Sequence, residues 1–114
     1  METIKGYLQE IPDMQYTATG LALTKLRIHE ELISPDDHLN SRIIIWAELA
    51  EAAANMLDIQ AFCYFKGYWK DRSWEDSSGN KHAIKEFTAR QIWRVDDGVF
   101  TDILEEYNEN GAVV

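Results

Sequence analysis

The residues Ser73-Trp74-Glu75-Asp76-Ser77-Ser78-Gly79-Asn80 set an indole two positions after Arg72 and four after Lys70. An aromatic face gains about 1–3 kcal/mol for each nucleobase stacked on it and tolerates any base, while neighbouring cations hold the backbone. The chemistry implied is binding to an unpaired base. Asp-Ser-Ser-Gly-Asn supplies turn residues between the strand-like run from Cys63 to Lys70 and the alternating run from Ala83 to Ile92, so Trp74 is expected on a projecting arm. The competing reading folds the indole back onto its own hairpin, since tryptophans are buried on average.

Other chemistry finds little support. His29, His38 and His82 show no metal-ligand spacing with Cys63, and no glycine-rich phosphate loop is present. Asp36-Asp37 and Asp96-Asp97 are adjacent, which in a strand sends the two side chains to opposite faces. No catalytic constellation and no cofactor are expected. Cys63 lies in the apolar run Ala61-Phe62-Cys63-Tyr64-Phe65 and reads as a buried small hydrophobe.

The elements that must carry these residues follow from patterning. A chain of 114 residues with 46% hydrophobic and 11% aromatic residues can bury one core. No apolar run approaches the roughly 20 residues of a membrane span, and Met1-Glu2-Thr3-Ile4-Lys5 leads no hydrophobic signal segment, so a cytoplasmic protein without membrane contact is expected. Glu2 to Thr17, interrupted at Ile11-Pro12-Asp13, reads as one bent strand. Leu21 to His29 alternates, with Leu26 and Ile28 opposite Lys25, Arg27 and His29. Glu30 to Asn40 reads as an acidic loop, and Arg42 to Trp46 as a central strand.

From Ala47 the spacing of Leu49, Ala50, Ala53 and Leu57 predicts a helix, after which strands resume over residues 61–70 and 83–93. The fold class is therefore all-β. Five strands with one helix between the third and fourth is the order of the OB-fold, a Greek-key barrel. Val99, Ile103 and Tyr107 share a helical face, predicting a short acidic C-terminal helix or tail. Trp69 shares strand parity with Cys63, Phe65 and Gly67 and reads as core. Tyr64, Lys66 and Tyr68 share the other side, as a subunit interface or part of a binding surface. Trp93 closes the last strand as core, interface or ligand contact.

Charge divides the chain. The formal net charge is -9, yet all 11 lysines and arginines lie within residues 1–94, which hold only 14 of the 20 acids. The expected organisation is a nearly neutral OB-fold domain over residues 1–94 followed by an acidic extension over 95–114.

Three segments carry a resemblance. Gly6-Tyr7-Leu8 with Pro12-Asp13-Met14-Gln15-Tyr16-Thr17 and Gly20 resembles the opening of bacterial single-stranded DNA-binding proteins, a Gly-x-Leu followed by Asp-Pro-Glu-x-Arg-Tyr and a turn glycine. Trp46-Ala47-Glu48-Leu49-Ala50-Glu51 resembles their aromatic-Gly-Lys-Leu-Ala-Glu segment. Gly67 to Gly79 resembles the Gly-x-Leu-x-x-x-x-Trp-x-Asp-x-x-Gly hairpin, with Trp74, Asp76 and Gly79 in register. The likeness runs from about Ile4 to Ile92.

The resemblance implies a non-enzymatic protein that coats single-stranded DNA as a homo-oligomer, tetramer or dimer, and protects it during replication, recombination and repair. Trp46 and Trp74 take the places of base-stacking aromatics. Arg42, Lys70 and Arg72 take basic positions, and Tyr16 that of the family tyrosine on the first strand. Lys5, Lys25, Arg27 and Lys81 complete the candidate DNA-binding set, with Tyr64, Lys66 and Tyr68 as the oligomer interface. A nucleoid-associated location and replication or repair proteins as partners belong to the same expectation.

The departures weaken charge. Glu48 stands for a family lysine, Asp58-Ile59-Gln60 replaces a basic pair and glycine, and Asn40-Ser41 replaces Trp-His. The acidic end lacks a Pro-Phe tip, so the family's partner-recruiting role is not carried over to it. The rival expectation is an OB-fold protein-interaction or assembly module with weak or lost DNA binding.

Overall fold

The computed structural model describes residues 1–31 and 38–109. Its elements run β1 (Glu2–Leu8), β2 (Asp13–Tyr16), β3 (Ala22–Glu31), β4 (His38–Trp46), α1 (Ala47–Met56), β5 (Phe62–Glu75), β6 (Lys81–Asp96), β7 (Val99–Asp102) and α2 (Ile103–Glu109). The chain is mostly β, consistent with an OB-fold. β1 and β2 both pair antiparallel with β3, Leu8 opposite Ile28 and Asp13 opposite Lys25, so they are two halves of one strand bent near Pro12. A proline cannot donate to the ladder, which explains the break.

The pairings run in a closed circuit. β1 joins β5, β5 joins β6, β6 runs parallel to β4, β4 joins β3, and β3 returns to β1. Gly6 sits where β1 passes from one neighbour to the other, opposite both Cys63 and Glu30. A Cβ there would strike the His29 carbonyl, and one at Gly67, beside the register shift between Lys66 and Gly67, would strike that of Thr88. Glycine permits these close backbone approaches.

Alternation fills the interior. Ala22, Thr24, Leu26, Ile28 and Glu30 of β3 point inward, meeting Ile43 and Ile45, Cys63 and Phe65, and Phe87, Ala89 and Ile92. α1 closes one end with Leu49, Ala50, Ala52 and Ala53, and the buried Thr24 hydroxyl donates to the Ala50 carbonyl at 2.9 Å. Trp69 packs partly buried against this core, edge-on to Phe87 with centroids 5.1 Å apart.

Three expectations are corrected. The loop expected over Glu30–Asn40 is narrower, because β3 runs through Glu31 and β4 begins at His38; residues 32–37 lie outside the described residues. Glu30 is buried rather than solvated: its carboxylate accepts from Ser41 Oγ at 3.2 Å, and burial, partly offset by that bond, raises its pKa. The helix expected to begin near Val99 begins at Ile103 instead, because residues 99–102 pair with β6 as β7. There the backbone hydrogen bonds of the ladder outweigh a helical spacing carried by only three apolar residues.

The boundary expected after Arg94 falls inside β6. The turn Asp97-Gly98 returns the chain along it, and Asp102 Oδ1 accepts from the backbone of Leu104 and Glu105 to start α2. Ile103 is fully buried, with Leu104 and Tyr107 packed on the core. Residues 110–114 of the expected tail lie outside the described residues.

Candidate nucleic-acid interface

β3, β4, β6 and β5 lie side by side in that order, and their outward residues form one face. Across it run Arg27 opposite Arg42, then Glu86, then Lys70 opposite Glu86. The next row is Lys25 opposite Ile44, Thr88 opposite Ile44, and Tyr68 opposite Thr88. Period-2 side-chain direction makes such rows inevitable once the register is fixed.

Two clefts open on this face. One of ≈ 340 Å³ is lined by Arg27, Asn40, Arg42, Ile84 and Lys85, and another of ≈ 250 Å³ by Glu10, Lys25, Leu26, Arg27 and Arg42. A third depression of ≈ 250 Å³ has Trp46, Tyr68, Thr88 and Arg90 on its walls. Trp46 is 40% exposed at the last position of β4. Ala47 then turns the chain with φ +58°, a left-handed conformation that a Cβ disfavours.

Beyond the core, β5 and β6 continue as a two-stranded arm whose residues 70–75 and 81–83 are exposed. Trp74, 41% exposed, stands opposite His82 and stacks on its ring at 5.2 Å and 17°. The Arg72 guanidinium lies over the same indole, 5.1 Å from its centroid. The turn is held by Asp76. One carboxylate oxygen accepts from the backbone of Ser78 and Asn80, both at 2.9 Å, and the other meets His82 Nε2 at 2.7 Å. The His82 bond, then the backbone bonds, hold the Asp76 pKa below the usual aspartate range. Gly79 takes φ +82°, as the tight turn requires.

The sequence candidates separate on this frame. Lys25, Arg27, Arg42, Trp46, Lys70, Arg72 and Trp74 lie along the face and its arm. Lys81 is exposed on the arm opposite Glu75. Tyr16, 60% exposed, ends β2 opposite Ala22, and Lys5 is on β1 with its ammonium 5.6 Å from the Tyr64 ring centroid. Of the interface candidates, Tyr68 lies beside Trp46, while Lys66 pairs with Thr3 and Gln91. Tyr64 belongs to a second aromatic strip, Tyr7 on Phe62, Phe62 on Tyr64 and Tyr64 on Phe100, with centroids 4.7, 5.8 and 4.9 Å apart.

Three participants escaped the sequence reading. His82 follows the turn and reaches Trp74 only through hairpin register; the two-residue symmetry about the turn was its available signal. Glu86 meets Arg42 and Arg72 through pairing with two different strands. Phe100 joins Tyr64 only because residues 99–102 form a strand. Cys63 is buried, and burial pushes its thiol up to about 12. Among the described residues no three His, Cys, Asp or Glu side chains converge as a metal site. No described helix is long and apolar enough to cross a membrane.

No family model matches the chain. A curated single-stranded DNA-binding protein from Caldanaerobacter subterraneus subsp. tengcongensis is 32% identical over 94 residues, covering 76% of this chain and 61% of that protein. The chain is thus similar to single-stranded DNA-binding proteins. It spans about three-fifths of that relative's length.

Proposed function

We propose that the protein binds single-stranded DNA without strong sequence preference, coating and protecting it during replication, recombination and repair. The observation that carries this reading is the continuous face on which Trp46 and the Trp74 arm accompany Arg27, Arg42, Lys70 and Arg72. Indoles receive the bases and the cations hold the phosphates. Lys25 extends the cationic row, with Lys81, Lys5 and Tyr16 as peripheral contacts. The strands close as an OB-fold barrel that supports the face with α1 at one end, and no catalytic step is involved. The likeness to the Caldanaerobacter protein supports the same reading, which places the protein in the cytoplasm with the nucleoid, and which makes Tyr64, Lys66 and Tyr68 contacts between copies of a tetramer or dimer.

Titration with an oligo-dT strand tests it. Tryptophan emission is expected to quench strongly at low salt, and less in Trp74→Ala; an unquenched wild-type protein at low salt would remove this reading. A second reading, a protein-interaction or assembly module with weak DNA binding, is favoured by the strip Tyr7-Phe62-Tyr64-Phe100, half-buried in its middle and exposed at both ends, and by the engagement of both Arg42 and Arg72 with Glu86.

A further inference from the structure

Glu86 stands among the cations of the candidate interface. It points outward from β6 yet is only 8% exposed, covered by its neighbours. Its Oε2 lies 3.7 Å from Nη1 of Arg42 on one side and 3.7 Å from Nη1 of Arg72 on the other. Among the described residues this oxygen is buried and accepts no hydrogen bond. A buried carboxylate oxygen without a hydrogen bond is costly, and here two guanidiniums offset the cost through charge.

The distance matters. Charge-assisted N–H···O bonds close to about 2.7–2.9 Å, so at 3.7 Å the arginines are held by attraction rather than by short directional bonds. A phosphate oxygen arriving at bonding distance competes with Glu86 on favourable terms, because guanidinium geometry suits phosphate as well as carboxylate. The two arginines come from β4 and β5, on either side of β6, so one carboxylate gathers both onto the path a backbone would follow.

We propose that Glu86 is an internal phosphate surrogate: it holds Arg42 and Arg72 together on the binding face in the unbound protein and yields them to backbone phosphates when a strand binds. This rests on the single-stranded DNA reading above. Glu86 therefore weakens binding and makes it readily reversible, although it lies inside the binding face.

The test compares wild type with Glu86→Gln in an oligo-dT quenching titration across salt concentrations, folding being checked by thermal melting. Removing one unit charge close to a phosphate should tighten binding about fivefold at low salt. It should also steepen the slope of log K against log salt by about 0.7 for each phosphate newly neutralised. Glu105→Gln, the same charge change at an exposed position on α2, should leave affinity unchanged. In an Arg42→Gln, Arg72→Gln background the Glu86→Gln gain should vanish.

Unchanged or weaker binding by Glu86→Gln overturns the surrogate, as does an equal gain from Glu105→Gln or a gain that survives loss of both arginines. A wild-type protein that fails to bind oligo-dT instead removes the DNA reading itself, so the two failures are distinct. Should Glu86→Gln not fold, Glu86→Asp draws the charge back by one methylene and should tighten binding about twofold; no gain overturns the proposal.

Discussion

Trp74 shares its ring with two neighbours before any base arrives, His82 stacked at 5.2 Å and the Arg72 guanidinium at 5.1 Å. That arrangement fixes the indole's orientation and limits the entropy lost on stacking a base. Trp74→Ala should weaken oligo-dT binding by about 1–3 kcal/mol, roughly tenfold for each 1.4 kcal/mol, without altering the melting temperature much. The acid end of the turn has its own signature. Asp76 has a folded pKa below its unfolded value, so its contribution is fully present above the usual aspartate range near pH 3.9 and is lost as pH falls through the lower folded value. Trp74 emission should therefore shift in strongly acidic solution, and Asp76→Asn should show the shifted emission already at neutral pH. Cys63, buried with its thiol pushed up to about 12, should resist alkylation until denaturant unfolds the chain; rapid native-state labelling would contradict its packing.

Elements show where local pattern sufficed and where it did not. The alternation of β3 was legible because Leu26 and Ile28 are fully buried while Arg27 remains exposed, and period 2 needs no knowledge of neighbours. β7 was not legible, since Val99, Ile103 and Tyr107 fit a helical face and only pairing with β6 converts residues 99–102 into a strand. The junction between β4 and α1 carries strain at Ala47, with φ +58°. Ala47→Gly should stabilise the protein by up to about 1 kcal/mol, measured by denaturant midpoint, the relief of the Cβ clash being partly offset by the greater freedom of glycine in the unfolded chain. The converse holds at the register shift in β5, where Gly67→Ala sets a methyl against the Thr88 carbonyl and should destabilise by at least about 1–3 kcal/mol.

For the whole molecule, the electrostatic balance governs function. A net charge of -9 opposes a polyanion, yet Lys25, Arg27, Arg42, Lys70 and Arg72 collect on one side of the sheet while the acids of residues 95–109 accompany β7 and α2. Three or four phosphate contacts from that face would give a log K against log salt slope of about -2 to -3, at roughly -0.7 per phosphate on a single strand; a flat salt response would favour the protein-interaction reading. What the sequence determined by itself was everything carried by short periods and turn chemistry: a mostly β chain, the inward and outward sides of its strands, the Trp74 arm between turn residues and the burial of Cys63. Only the tertiary structure decided which strands become neighbours. That choice brings Arg27 beside Arg42, sets His82 against Trp74, and places Glu86 between Arg42 and Arg72, which lie 44 and 14 residues before it in the chain. Such contacts depend on register between distant segments, which is fixed by how the core closes and leaves no trace in any local pattern.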